Sequence, residues 1–364
     1  MNFRKIHLSG SPYEIGSQLG RLAGSEVKRC LELYREVFES VGVSWAEATK
    51  RAEAYVPVIE KYDADLIAEM QGIADAIDRP LIDIVALNAR SEVLFSAQAV
   101  EGCTSISALP PKTDGNTYVG QNWDHYHRFH EVMLIVEIEQ SDKPRILMVT
   151  EAGLIGKIGM NDAGIGLCFN ALGCEGTPGG LPVHCAIRGI LNSRTIGEAI
   201  GAAIQTKAAN GVNLHIASKE GVAVDIEMSN DGYDVMFNHE GTFAHTNHFI
   251  SPNLLGQVKD RFQERTPDTH IRLGVAQREL RNAAAPITLE TIQNILKNHT
   301  NYPDAICRHG ESDPRPTGKR GNIFETVFSI VTNLNEGTMH VACGVPCTTA
   351  YEVYRFGENN AKHH

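Results

Sequence analysis

From Leu66 onward the apolar positions Leu66, Ile67, Met70, Ile73, Ala74 and Ile77 recur at three- and four-residue intervals. That is the period of one helix face, with Asp63 or Asp65 as its cap. Upstream, Ser11-Pro12-Tyr13-Glu14 combines an N-cap, a first-turn proline and a capping-box glutamate, and Ser44-Trp45-Ala46-Glu47 repeats the device. Roughly the first hundred residues therefore read as helical, and the apolar stripe must pack on something.

After about residue 102 the pattern changes to short β-rich runs separated by glycine turns. Thr117 to Gln121, Val132 to Glu139, Arg145 to Glu151, Ile165 to Asn170, Leu214 to Ser218, Val222 to Met228, Ile323 to Asn333 and Thr338 to Cys343 have strand composition. Asp114-Gly115, Lys219-Glu220-Gly221 and Asn230-Asp231-Gly232 punctuate them as hairpin turns do. Helical stretches interrupt the strands at Val183 to Leu191, after the capping box Thr195-Ile196-Gly197-Glu198, and from Thr288 through Ile292, Ile295 and Leu296. The expected class is α+β, with antiparallel sheets sandwiched by helices.

Composition narrows the function. The chain has 364 residues, 42% hydrophobic and 21% charged, with a net charge of −11, which suits a folded core and argues against a nucleic-acid partner. Neither a signal sequence nor a run of about 18 apolar residues occurs, so a cytoplasmic protein without a membrane partner is expected. The end, Asn359 to His364, is not an SKL-type peroxisomal address. Eight cysteines occur without a CxxC, and Cys343 and Cys347 are the closest pair. A disulfide scaffold or zinc ribbon is therefore not expected, and most of the cysteines should be small buried hydrophobes. His125, His127 and His130 cluster, but their spacing beside a strand does not place three imidazoles on one metal, so no metal site is expected.

No GxGxxG, Walker loop, HExxH or GxSxG is present, which removes the usual support for dinucleotide, nucleoside-triphosphate, zincin and serine-hydrolase chemistry. What stands out is Glu101-Gly102-Cys103-Thr104-Ser105-Ile106-Ser107, at the change from helical to strand-rich texture. A glycine before a nucleophile permits positive-φ or strained backbone and leaves its carbonyl open to the thiol. An N-to-S acyl shift followed by hydrolysis there would leave fragments of 102 and 262 residues. The new terminus would join a thiol of pKa about 8.5 to an α-amine of about 7.7 to 8.0, which acts as base for its own side chain. The alternative for Cys103 is a buried packing cysteine, and for Asn247 a turn or capping residue. Asp124 and Arg308 read alone as surface charges, Lys157 as a solvated turn residue, and Trp123 and Tyr126 as either pocket walls or core.

Five ordered blocks decide among these readings. Glu101-Gly102-Cys103-Thr104, Gly120-Gln121-Asn122-Trp123-Asp124, Gly156-Lys157-Ile158-Gly159-Met160-Asn161, His245-Thr246-Asn247-His248 and Asn301-Tyr302-Pro303-Asp304-Ala305-Ile306-Cys307-Arg308 resemble, in order and spacing, the acyl-coenzyme A:isopenicillin N acyltransferase family, peptidase family C45. The opening Gly10-Ser11-Pro12-Tyr13-Glu14-Ile15-Gly16 and Leu87-Asn88-Ala89-Arg90-Ser91-Glu92 extend the resemblance over nearly the whole chain.

The resemblance implies an N-terminal nucleophile hydrolase: a four-layer αββα sandwich made as a precursor that cuts itself between Gly102 and Cys103. Residues 1–102 would form a helical segment buried against the catalytic core 103–364 and retained as its partner. Cys103 would be the nucleophile, with Asp124 and Arg308 as supporting charges and Asn247 stabilising the oxyanion. Thr104, Trp123, Tyr126 and His245 are the expected substrate-contacting residues. The substrate would be a small-molecule amide or acyl thioester, cleaved or formed at a C–N bond, and no cofactor is implied beyond acyl-coenzyme A as an alternative co-substrate. Amide hydrolysis with latent acyltransferase ability leads. Its rivals are an acyl-coenzyme A-dependent transferase acting on a 6-aminopenicillanic-acid-like amine, an uncleaved binding protein, and a thiol-redox protein using Cys343 and Cys347.

Overall fold

The computed structural model describes residues 2–96, 102–174, 179–260, 262–310 and 323–358. Among these, the strands are β1 (Arg4–Ser9), β2 (Gly102–Ala108), β3 (Tyr118–Tyr126), β4 (Met133–Glu139), β5 (Ile146–Glu151), β6 (Ile158–Asn161) and β7 (Ile165–Ala171). They continue as β8 (Val212–Ser218), β9 (Val222–Met228), β10 (Tyr233–Phe237), β11 (Thr242–His245), β12 (Phe324–Asn333), β13 (Thr338–Ala342) and β14 (Tyr351–Arg355). An eight-stranded sheet has the order β1-β4-β5-β6-β7-β8-β9-β10, and a six-stranded sheet the order β11-β2-β3-β12-β13-β14.

The sheets face each other. Gln121 of β3 donates from Nε2 to Phe169 O (2.6 Å) and accepts from Phe169 N (2.9 Å), taking up backbone groups of β7 beyond its last β6 partner, Leu167. Ser105 of β2 donates to Asn170 of β7 across the same gap (2.7 Å). Helices Val183–Leu191 and Ile196–Ile204 cover the outer face of the larger sheet, and Asp268–Asn282 and Leu289–Leu296 that of the smaller. The result is the expected helix, sheet, sheet, helix layering.

The opening residues correct the all-helical expectation. Arg4–Ser9 alternates, burying Ile6 and Leu8, and pairs in parallel with β4, an exception to the antiparallel pattern. Six residues before Gly10, at φ 116°, are too short a run to stand out beside the capping signal that follows. The helix Asp268–Asn282 was also not expected; its polar composition gives little amphipathic contrast.

The apolar stripe lies on the helix Ala64–Ala76, capped by Asp63, and an adjacent side of that helix packs closely on the helix Pro12–Leu22. Two glycines allow that approach: a Cβ at Gly16 would sit 1.9 Å from Glu69 O, and one at Gly72 2.2 Å from Tyr13 O. The segment reaches the core through buried polar bonds. Glu69 pairs with Arg188 (2.8 Å), Asn88 donates to Gly153 O (3.0 Å), and Glu92 accepts from Val183 N (2.9 Å).

The strongest of these links centres on Glu151. It receives Tyr34 Oη at 2.8 Å, Arg90 at 2.9 Å and Lys157 Nζ at 2.6 Å. Lys157 is thus a fully buried cation, not a solvated turn residue, and its Nζ also lies 3.6 Å from the centre of the Trp123 ring. Burial pushes the Glu151 carboxyl up, but Lys157 and Arg90 outweigh it and hold the group far below the usual carboxylate range. Glu151→Gln should therefore cost about 3–5 kcal/mol in denaturant unfolding at neutral pH, because two buried cations lose their counter-charge. The folded-state pKa lies below the unfolded one. The contribution is complete above about pH 4.3 and is lost as pH falls through the folded value, so the gap between wild type and variant should narrow on acidification. Equal unfolding midpoints at pH 7 would contradict this account of the link.

Candidate active site

The pairing of β2 with β3 sets Gly102 opposite Asp124, Cys103 opposite Trp123 and Thr104 opposite Asn122. Side chains alternate along β2, so Cys103 and Ser105 face the other sheet while Thr104 faces the helix Asp268–Asn282. A Cβ at Gly102 would lie 2.8 Å from Asp124 Oδ2 and 3.0 Å from Asp124 Cβ, and its φ is outside the left-handed region. Gly102 is needed for room against Asp124, which corrects the expectation of positive φ.

Cys103 is fully buried, and one side chain brackets it. Its backbone N–H donates to Asn247 Oδ1 (2.9 Å), while Asn247 Nδ2 lies 3.4 Å from Sγ and donates to Ala171 O (3.1 Å). Asn247 arrives there because β11 pairs with β2, ending at His245 opposite Ser105, and the chain then continues alongside Cys103. Its own N–H is anchored on Thr269 Oγ1 (2.9 Å). Asn247 is therefore not a capping residue.

Arg272, which sequence reasoning missed, fastens the arrangement. Its Nη1 donates to Cys103 O (2.6 Å) and Thr104 Oγ1 (3.1 Å), and its Nη2 to Asn247 Oδ1 (3.0 Å). Two donors converging on one atom of the Asn247 amide identify that atom as the oxygen, leaving the NH2 toward the thiol. Arg272 Nε pairs with Asp268 (2.9 Å), which also receives Arg308 Nη2. Arg308 Nε then meets Asp124 Oδ2 (3.3 Å), and Thr326 donates to Asp124 Oδ1 (2.7 Å). Asp124 and Arg308 are buried members of this chain of charges rather than surface residues, and Asp304 closes the fork of Arg308. The spacing of Asp268 and Arg272, one helical turn apart, was the available signal.

Burial pushes Asp124 above the ordinary carboxylate range against the pull of Arg308 and Arg272. Asp268 is also pushed up by burial, but there Arg272 and Arg308 win and hold it low. One guanidinium pair thus serves two carboxylates unequally, and Asp124, beside Gly102, is the more readily protonated of the two.

The remaining candidates divide. Thr104 joins the site through Arg272. Trp123 is core, stacked on His125 with ring centres 4.8 Å apart. Tyr126 is half-buried at the end of β3, edge-on to Phe324. His245 is buried with Nε2 on Glu227 (2.8 Å) and Nδ1 on Thr246 O (2.8 Å), so both ring nitrogens have protein partners. His127 pairs with Glu325 (2.5 Å), with His130 beside it, while His125 packs between Trp123 and Phe129. Beside Ala171, a narrow apolar pocket is lined by Phe169, Leu181, Val183, Val212 and Leu214. Among the described residues, no helix is long and apolar enough to cross a membrane.

Several known proteins are similar to this chain. The acyl-coenzyme A:6-aminopenicillanic-acid-acyltransferase 40 kDa form of Emericella nidulans is 29% identical over 312 residues, covering 83% of this chain and 84% of that protein. An uncharacterized protein of Archaeoglobus fulgidus is 27% identical over 252 residues, 60% of this chain and 39% of its own length. Among solved structures, penicillin V acylase from Agrobacterium tumefaciens aligns with a TM-score of 0.48 at 11% identity, covering 70% of this chain and 87% of that one. A single-residue variant of conjugated bile acid hydrolase from Clostridium perfringens aligns with a TM-score of 0.47 at 13% identity, covering 71% and 99%. Residues 111–346 match the family model described as acyl-coenzyme A:6-aminopenicillanic acid acyl-transferase, a span that includes Asp124, Asn247, Arg272 and Arg308 and begins after Cys103. With well over half of its length inside that match, this chain belongs to the acyl-coenzyme A:6-aminopenicillanic acid acyl-transferase family.

Proposed function

We propose that the protein is a self-processing cysteine N-terminal nucleophile enzyme that breaks or forms the amide bond of a small N-acyl amine through a thioester on Cys103. The observation that carries this reading is the Asn247 amide, whose oxygen holds the Cys103 nitrogen while its NH2 lies beside the thiol. Processing begins when Sγ attacks the Gly102 carbonyl carbon. The C–N bond breaks, the nitrogen takes the thiol proton, and water then hydrolyses the resulting thioester to a Gly102 carboxylate and a free Cys103 thiol. Asp124, facing Gly102 and inclined toward protonation by burial, is placed to exchange a proton there.

In turnover the freed α-amine accepts the thiol proton as Sγ attacks the substrate carbonyl. Asn247 Oδ1, held by Arg272, orients the amine, and Asn247 Nδ2 donates to the oxyanion. The amine returns its proton to the departing amine, leaving an acyl thioester that water or another amine resolves. Hydrolysis of the C–N bond is the leading outcome. The similarity to an acyltransferase named for 6-aminopenicillanic acid supports a second reading, in which acyl-coenzyme A charges Cys103 and an amine is the acceptor.

A panel of N-acyl amines and acyl thioesters, with acid-quenched mass spectrometry for an acyl adduct on the Cys103 peptide, tests the reading. An adduct is expected in wild type and absent in Cys103→Ala; turnover by Cys103→Ala would overturn the mechanism. Asn247→Ala should lower kcat about 10²- to 10³-fold and also lower the unfolding midpoint, because the Cys103 N–H, Arg272 Nη2 and the Ala171 carbonyl lose a buried partner; an unchanged kcat would remove Asn247 from the oxyanion site. Arg272→Lys keeps the charge but not the fork that joins Cys103, Thr104 and Asn247, so kcat should fall about 10- to 100-fold, equivalent to ~1.5–3 kcal/mol for a lost charged hydrogen bond. Wild-type kinetics in that variant would show that the fork does not position the nucleophile.

A further inference from the structure

Outside the nucleophile site, the fold gathers four metal-type ligands from distant positions. His299 follows the helix Leu289–Leu296, Cys307 and His309 flank Arg308, and Cys347 follows β13. Their donor atoms all lie within 4.8 Å of one another. His309 Nε2 is 3.1 Å from His299 Nε2, 3.4 Å from Cys347 Sγ and 3.7 Å from Cys307 Sγ. A neutral imidazole nitrogen carries either one proton or one lone pair, so hydrogen bonding at this atom cannot satisfy three neighbours together. A shared cation gives each donor its own bond.

We propose that His299, Cys307, His309 and Cys347 form a tetrahedral site for a divalent transition metal, zinc being the ion their chemistry fits. Zinc bonds of about 2.0–2.1 Å to nitrogen and about 2.3 Å to sulfur give tetrahedral edges of about 3.3 Å between nitrogens and about 3.6 Å between nitrogen and sulfur, close to the three distances from His309 Nε2, with the other donor pairs within 4.8 Å. Two thiolates and two neutral imidazoles are a mixed set that selects a tetrahedral, thiophilic ion. Binding releases the two thiol protons to solvent, and the Zn(Cys)2(His)2 unit carries no net charge. The exposed His299 and Cys347 supply an entry path.

The ligands were hidden in the sequence because they occur as His299, Cys307 and His309 with a fourth returned by the hairpin of β12 and β13. The pair that the rival redox reading would use divides: Cys343 is buried with its sulfur accepting from Phe3 N (3.4 Å), and Cys347 faces the cluster. Arg308 lies between two ligands. The ion would pin the loop whose guanidinium serves Asp124 and Asp268, acting as a positioning element and not as a catalyst.

The test uses the full chain, chelator-treated and kept reduced, then titrated with Co2+ alone and with Zn2+ alone. One equivalent of Co2+ should produce thiolate-to-metal charge-transfer bands and the intense visible bands of a tetrahedral site, which one equivalent of Zn2+ abolishes. Zn2+ should also raise the thermal midpoint. Cys347→Ala and His299→Ala, both at exposed positions, should lose the bands and the thermal shift, while Cys174→Ala, outside the cluster, keeps them. Absence of the bands in reduced wild type would overturn the proposal, as would their undiminished persistence in both ligand variants. A Cys307–Cys347 disulfide in the protein as purified, with no metal uptake after reduction, would also overturn it and make the cluster a redox pair.

Discussion

Everything near Cys103 depends on how the Asn247 amide is oriented. A primary amide has an accepting and a donating end, and here the Cys103 nitrogen lies at the first and the Cys103 sulfur beside the second. An amide left to itself could turn over and exchange them. Arg272 prevents this, because a guanidinium only donates and its Nη2 is directed at Oδ1. The same guanidinium holds the Cys103 carbonyl, so backbone, thiol and amide are fixed by one side chain reaching in from the helix layer.

That guanidinium is buried, and its charge has to be balanced where it sits. Asp268 supplies the balance and is shared with Arg308, which in turn meets Asp124. The alternation of two carboxylates and two guanidiniums runs from Gly102 on one side to Asn247 on the other. Because Asp268 is held low and Asp124 is pushed up, the chain is not electrically symmetric. The carboxyl with the greater readiness to hold a proton lies beside Gly102, the residue before Cys103, where the proposed acyl shift and hydrolysis would require proton movement. A second charged cluster, Glu151 with Arg90 and Lys157, ties the N-terminal segment to Trp123, the cross-strand partner of Cys103.

Much of this was legible in the sequence. Strands such as Val222–Met228 and helices such as Ile196–Ile204, capped by Thr195, announce themselves by composition and caps, and the layered class follows from their order. The five motif blocks single out Cys103, Asp124, Asn247 and Arg308 by resemblance alone, and the structure places all four in one connected network. Arg272 escaped because its helix has weak amphipathic contrast, so a buried cation looked like one more exposed charge. Lys157 was misread for the opposite reason: glycine neighbours imitate a turn, while its counter-charge, Glu151, ends the preceding strand. β1 was lost to brevity, since six alternating residues find their meaning only against β4.

The most direct measurement is the intact mass, under denaturing conditions, of freshly purified wild type beside Cys103→Ala. Self-processing at the Gly102-Cys103 bond predicts fragments of 102 and 262 residues in wild type and a single chain of 364 residues in the variant. A wild-type chain that stays intact, or a Cys103→Ala chain that is cut at the same bond, would contradict Cys103 as the nucleophile that makes its own active site.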